Sequence, residues 1–386
     1  MSVRHGQGAI GALFMIGLLV GACASPAPSA GTSAPTQAAA PVPSSASSAA
    51  TTAPPVATQP PVPGTAATAG ASPATGTAGG GSLAYIAGFN VWLAAPDGSG
   101  ARQLTSDGNE ANAYHDPSQV DDGRIFVVRG TRTLVQLGRD GQAVAPPVSL
   151  NVLENGAEGL AVSPNGARLA YATTGFGTEI DPRFGTPAGA FLYGGTDIAA
   201  ADGTSIPGAA APTLLFPDWV DDDNLVGSDG VELYTKVAGP GDLQPWLDLG
   251  DGCLIDFDCP AGQEAAANIS IPAVSAAARV LAYSYRPYFG AAGRRFATLA
   301  GLPPAAPTTA CMVPGQENFQ DAGSFAPDGS AFAFDDSEFD PQELTTRIGE
   351  GIHVFTLDLK APDCGAALAR LVLAGGSQPD WGPAAP

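Results

Sequence analysis

The chain has 386 residues, and 37 acidic against 16 basic side chains give it a net charge of −21. Nucleic-acid binding needs a basic face, so this balance sets that class of function aside. It also opposes contact with anionic lipid, leaving any membrane attachment to a covalent anchor.

Three zones follow one another. Residues 1–22 carry Arg4 and His5 and then an apolar run from Ala9 to Val20. A bilayer span needs about 20 apolar residues, so the run is too short to cross and fits the apolar region of a signal peptide. Gly6 to Gly11 match the dinucleotide fingerprint GxGxxG, but no strand precedes them and the match is without meaning. At the end of the run stand Val20-Gly21-Ala22-Cys23. A branched apolar residue, two small residues and a cysteine resemble the lipobox of bacterial lipoproteins. That resemblance implies cleavage before Cys23, lipid attachment to its thiol, and a protein held on the extracytoplasmic side of a cell membrane, at the cell surface or in the periplasm. A plain secretory signal followed by a chance cysteine is the alternative.

Residues 23–82, after Cys23, are Ala, Pro, Ser, Thr and Gly with a few Val and Gln and no charged side chain. Such a segment cannot bury a core, and it reads as a disordered linker that lifts the domain off the membrane. Its Ser/Thr/Pro content also fits an O-glycosylated stalk.

Residues 83–386 repeat. The clearest unit is Val162-Ser163-Pro164-Asn165-Gly166-Ala167-Arg168-Leu169-Ala170-Tyr171, which returns as Phe325-Ala326-Pro327-Asp328-Gly329-Ser330-Ala331-Phe332-Ala333-Phe334. Weaker copies start at Gln119, Trp219 and Val274, and the chain ends on half a copy, Pro379-Asp380-Trp381-Gly382-Pro383. A second unit follows each first one, as in Val91–Gly100 around Asp97-Gly98, Leu134–Val144 around Asp140-Gly141, and Asp197–Ser205 around Asp202-Gly203. Each unit is a strand, a tight turn needing positive φ, and a strand. Two units make a four-stranded antiparallel sheet, and the period of roughly 43–57 residues is that of a propeller blade. The pattern begins near 118, 161, 217, 272, 324 and 379, which predicts six blades. The first blade is closed by both chain ends, because Trp381 pairs back onto Leu83–Ile86. These repeats resemble those of the TolB-like six-bladed β-propellers, over nearly all of residues 83–384. The resemblance implies an all-β fold and leaves function open, because the namesake carries an α/β domain where this chain has a linker.

Without Cys23, four cysteines remain. Cys253 and Cys259 are close enough to close a small loop, which would leave Cys311 with Cys364; two other connectivities stay open. Cys-x5-Cys without a nearby His is poor zinc spacing, so no metal and no cofactor is expected.

In such blades the first and third turns lie on one face, and the second turns and blade links on the other. The first are mostly tight; the second are long at 173–190, 284–294 and 335–351. Elaborated loops on a rigid scaffold are where function concentrates. The richest stretch there is Tyr285, Arg286, Tyr288 and Phe289 with Arg294 and Arg295, the residue types that anchor interfaces. The competing reading packs the aromatics in the blade and pairs the arginines with acids. Glu179, Asp181, Asp335, Asp336, Glu338 and Asp340 lie on the same side, as a solvated acidic rim or, alternatively, a calcium site. Trp219 and Trp381 are expected in the core.

His115 precedes a strand and His353 lies within one; neither stands beside a nucleophile motif, and neither GxSxG nor HExxH occurs. No catalytic residue is assigned. The expected function is a non-catalytic binding or scaffold protein for an envelope protein, peptide or glycan. The alternative is a hydrolase or lyase acting on carbohydrate or peptide in the propeller channel, since paired carboxylates suffice for glycoside chemistry.

Overall fold

The computed structural model describes residues 80–176, 192–230, 232–247, 267–287, 293–303, 305–314, 323–335, 338–339, 347–348 and 351–386. These belong to one of the chain's two compact units; the other, residues 13–75, lies outside the described residues, as does Cys23.

Alternating apolar residues and Gly-containing turns produce antiparallel meanders in chain order. Blade 1 opens with β1 (Ser82–Ala87), β2 (Asn90–Ala94) and β3 (Arg102–Gln103). Blade 2 is β4 (Tyr114–Gln119), β5 (Ile125–Arg129), β6 (Thr133–Leu137) and β7 (Val148–Ser149). Blade 3 is β8 (Ala157–Val162), β9 (Arg168–Phe176), β10 (Leu192–Ala200) and β11 (Ala211–Pro212). Blade 4 is β12 (Leu215–Trp219), β13 (Asn224–Ser228), β14 (Leu233–Val237) and β15 (Gln244–Leu247). Blade 5 is β16 (Ala267–Ser275), β17 (Val280–Pro287), β18 (Gly293–Thr298) and β19 (Thr308–Pro314). Blade 6 starts with β20 (Ser324–Phe325) and β21 (Ala331–Asp335). A separate ribbon, β22 (Glu338–Phe339) with β23 (Arg347–Ile348), intervenes before β24 (Gly351–Thr356) and β25 (Arg370–Ala374) complete it. The last strand, β26 (Ser377–Gly382), pairs with β1 in register Leu83↔Trp381, so both chain ends close blade 1 as the repeats implied. The first strands of the sheets neighbour one another in the cyclic order β26, β4, β8, β12, β16, β20 and back to β26. The chain is a six-bladed β-propeller.

Its core lies between sheets. One apolar cluster sits at each seam: Val120, Phe126 and Leu134 of blade 2 meet Val162, Leu169 and Tyr171 of blade 3, and the other five seams repeat the arrangement. Trp219 and Trp381 are both buried, at equivalent positions. The seam of blades 5 and 6 carries edge-to-face phenylalanines, Phe296 with Phe332 at 5.1 Å and Phe325 with Phe332 at 4.9 Å. At its outer side a disulfide joins Cys311 of β19 to Cys364 in the turn before β25. Cys253 and Cys259 lie outside the described residues.

The tight turns hold blades together as well as reversing the chain. At Gly141, in the third turn of blade 2, φ is 81°, and a Cβ would strike the Leu104 backbone at the end of blade 1's outer strand. Gly98 meets Val372 of blade 6 in the same way. Glycine is needed at both for conformation and for approach.

A feature absent from the sequence reading is a bulge in the first strand of each of five blades. Asp116, Phe216, Ile271 and Gln378 have φ near 50° and each precedes a proline; Gly159 takes the place in blade 3. The ladder slips there in every case. A proline cannot donate to a ladder, and beyond each bulge the first strand is the inner edge of its sheet, where alternate amides point away from the ladder. Side chains of the preceding blade accept them. Asp380 Oδ2 takes Gln119 N–H (2.5 Å), Ser118 Oγ takes Val162 N–H (3.1 Å), Asp218 Oδ2 takes Val274 N–H (2.7 Å) and Ser324 Oγ takes Trp381 N–H (3.0 Å). The two remaining blades carry Ala161 and Ala273 at this place, and the Trp219 indole donates to the Ala161 carbonyl instead (3.1 Å).

Asp218 and Asp380 occupy this position in blades 4 and 1, opposite each other across the ring. Burial lifts the Asp218 carboxyl to about 6, against the amides of Val274 and Trp219. Burial lifts Asp380 to about 7, against the Gln119 amide, and repulsion from Asp218 adds to the rise. Both bind protons in the folded state that the unfolded chain releases near pH 4. Their stabilisation is therefore complete at and below about pH 4 and is lost as pH rises through 6 and 7. The thermal midpoint is expected to fall between pH 5 and pH 8, and Asp380→Asn, which keeps the acceptor and removes the titration, is expected to flatten that slope. An unchanged slope in calorimetry would remove Asp380 from the account. Gly141→Ala is expected to cost about 1–3 kcal/mol, read as a lower urea midpoint with unchanged m-value.

Candidate functional site

The two faces of the ring differ in register. Ile125, Leu169 and Leu281 stand at equivalent positions in the second strands of blades 2, 3 and 5, opposite Gln119, Val162 and Val274. In blade 2 that strand stops at Arg129, but in blade 3 it continues to Phe176 and in blade 5 to Pro287. The partner strands follow: Phe176 pairs with Leu192 and Tyr285 with Gly293. At about 3.3 Å per residue, blade 3 projects roughly 10 Å beyond blade 2 on the second-turn side. The ribbon β22–β23 interrupts blade 6 on that same side. Of the stretches read from sequence as long turns, 173–190 thus begins as strand, and 284–294 both begins and ends as strand. Pairing continues because no turn-forming residue reverses the chain before Phe176 or Pro287.

The residues singled out from sequence separate on this frame. Tyr285 is buried in the seam of blades 4 and 5 with Val226, Trp246 and Tyr283. Arg295 is half-buried and lays its guanidinium 3.3 Å from the centre of the Tyr285 ring. Arg294, on the opposite side of the same strand, is buried between blades 5 and 6, donates to Ser284 Oγ (3.3 Å) and lies 5.5 Å from the Phe332 ring. Burial pulls its guanidinium down to about 10, with Asp335 acting the other way. Arg286 lies in β17 opposite Asn268. Tyr288 and Phe289 lie outside the described residues. Of the acids, Asp335 is buried and its Oδ2 accepts from Gln378 N–H (2.7 Å), so it braces blade 1 and is no part of a rim. Glu338 is in β22, and Glu179, Asp181, Asp336 and Asp340 lie outside the described residues.

Sequence reasoning passed over the cluster where the first strands of blades 2 and 3 meet this face. His115 lies within β4, whose strand begins one residue earlier. Its Nδ1 is 2.9 Å from Asp116 Oδ2 and its Nε2 is 2.7 Å from the Gly130 carbonyl. Both neighbours carry acceptor oxygens, and an imidazolium can donate to both at once. Burial opposes that charge, but the Asp116 carboxylate and the Gly130 carbonyl outweigh it and the pKa is raised. Asp116 Oδ2 also accepts from Gly159 N–H (2.9 Å), and Asp116 N–H donates to Gln378 Oε1 (3.0 Å). Glu158, next to this pair, is solvent-exposed yet crowded by protein; burial raises its pKa, Asp116 raises it further, and His115 opposes. Nearby, Asp107 ties Tyr114 Oη (2.9 Å) to Arg129 Nη1 (2.8 Å). The available signal was the residue-before-proline repeated in four of the six first strands, at Asp116, Phe216, Ile271 and Gln378.

No family model and no curated protein matches the chain. Several solved structures are similar in fold. TolB from Acinetobacter baumannii shares 12% identity at a TM-score of 0.48, over 78% of this chain and 66% of that one. A putative TolB from Agrobacterium tumefaciens shares 13% at 0.46, over 78% and 92%. An oligogalacturonate lyase in complex with manganese shares 12% at 0.42, over 69% and 68%. The chain thus spans about two thirds of the first of these. Likeness at this level carries no argument about activity.

His115 is expected to titrate above the ordinary value of about 6.5, and Asp116→Asn to lower it. Ring nitrogen-15 shifts followed from pH 5 to 9 check this; a neutral His115 at pH 6 would refute the clamp.

Proposed function

We propose that this is a lipid-anchored, extracytoplasmic propeller that binds an envelope protein, peptide or glycan on its second-turn face and carries out no chemistry. The observation that supports it best is the one-sided projection: blades 3 and 5 extend past the common register and blade 6 adds a ribbon, all toward the same face. Rigid strands carry recognition loops outward, which limits the entropy lost on binding.

The polar groups of the ring also favour binding over catalysis. Asp380, Asp218, Asp116, Ser118 and Ser324 each accept an amide of the next blade, and His115 is held between two acceptors. Groups spent in this way are poor general acids or bases, because proton transfer breaks the bond that holds the ring. A hydrolase or lyase in the channel is the weaker reading for that reason.

The test uses the full chain as bait in envelope extracts, beside a variant with Arg286, Tyr288 and Phe289 changed to Ala. Tyr285 is left intact because it is core. A partner held by the first bait and lost by a second with the same thermal midpoint supports the reading. Equal capture by both would sink the assignment of the face, and turnover of glycan or peptide substrates by the purified chain would sink the non-catalytic reading.

A further inference from the structure

Blade 1 turns from β1 to β2 in two residues, Gly88 and Phe89, between the paired Ala87 and Asn90. This is the second turn of the blade, on the projecting face. Both turn residues have positive φ, 55° and 66°. A two-residue hairpin of this kind favours Asn-Gly or Asp-Gly, and a bulky side chain at positive φ is strained. Surrounding hydrogen bonds hold the turn in place. Trp92 Nε1 donates to the Ala87 carbonyl (3.0 Å), Asn90 Nδ2 to the Gly88 carbonyl (2.9 Å) and Tyr114 N–H to the Phe89 carbonyl (3.0 Å). Asn90 Oδ1 accepts from Gly108 N–H (2.9 Å), which docks the link between blades 1 and 2 against the turn.

Packing does not offset the strain. Phe89 is 48% exposed, and it belongs to none of the six seam clusters of the described residues. Phe216 and Ile271, the other large apolar residues at positive φ, are half-buried and buried. Neither turn geometry nor hydration accounts for a phenylalanine at position 89, and strain of this kind collects at functional positions. A ring at the tip of a turn is convex. It can enter a pocket on another molecule but offers no walls to a sugar or a small ligand. Its surroundings are acidic: in the docked link, Asp107 carries Arg129, while Glu110 is exposed and pairs with no base among the described residues. We propose that Phe89 anchors a contact with a protein partner, its ring entering an apolar pocket that has a basic rim. This rests on the second-turn face being the binding face, and it places an anchor at the junction of blades 1 and 2, apart from the blade 5 hairpin.

Two measurements test it. Phe89→Asn suits the turn and removes the ring, so its thermal midpoint in calorimetry is expected to match or exceed that of the wild-type chain. A lower midpoint would make Phe89 part of the fold and overturn the proposal. The second measurement puts photo-crosslinking p-benzoylphenylalanine into the full chain in place of Phe89, of Arg286 on the blade 5 hairpin, or of Val144, exposed beside β6. Each chain is irradiated in envelope extracts. A protein adduct from position 89 and none from position 144 is expected. That protein, once purified, is expected to bind Phe89→Asn about 10-fold or more weakly than wild type, and to associate more slowly with wild type as salt rises. Adducts from position 286 and none from 89 would overturn the anchor and leave the face reading standing; adducts from position 144 alone would overturn both. A carbohydrate adduct at position 89, equal binding of the two chains, or no adduct from any position would overturn the proposal.

Discussion

Everything in this molecule depends on burying both faces of each sheet. A single four-stranded meander with two apolar faces has no stable existence in water. Here each sheet finds its cover in the sheets on either side, and the sixth finds it in the first. Among the described residues the core is divided among six seams. Closure is therefore a condition for all the seams at once, and β26 pairing with β1 is the step that meets it.

Closure creates a second problem, and the first strands answer it. Six strands crowd around an axis as the inner edges of their sheets; bulges bend five of them, and alternate amides point toward the axis without ladder partners. Short polar side chains one blade back accept four of those amides. Ser and Asp fit the place because their acceptor oxygens sit close to the backbone, and at Ala161 the Trp219 indole donates to the carbonyl instead. The cost is charge burial: two of the acceptors are aspartates facing each other across the ring, and both are pushed toward their neutral forms. The hydrogen-bond network that closes the ring thus ties stability to pH in one direction.

The same economy of polar groups separates the two faces. On the turn face, tight Gly-containing turns press against the preceding blade and leave little chain free. On the other face, the hairpins of blades 3 and 5 outgrow the common register. One scaffold therefore presents two differently built faces.

The repeats alone determined the blade count, the meander within each blade and the pairing of the chain ends. Those features rest on local signals: alternation of apolar residues, a Gly turn after a short strand, and half a repeat at the end. A turn needs positive φ wherever it occurs, so its residues are legible without a neighbour. Tertiary structure alone decided that Tyr285 and Arg294 face into seams and that Asp335 braces blade 1. Each of those outcomes depends on which blade lies alongside, at separations of tens to hundreds of residues. A tyrosine beside an arginine reads the same in a strand whether its ring meets solvent or a neighbouring sheet. The choice is made by burial across a seam, and a seam exists only after the ring has closed.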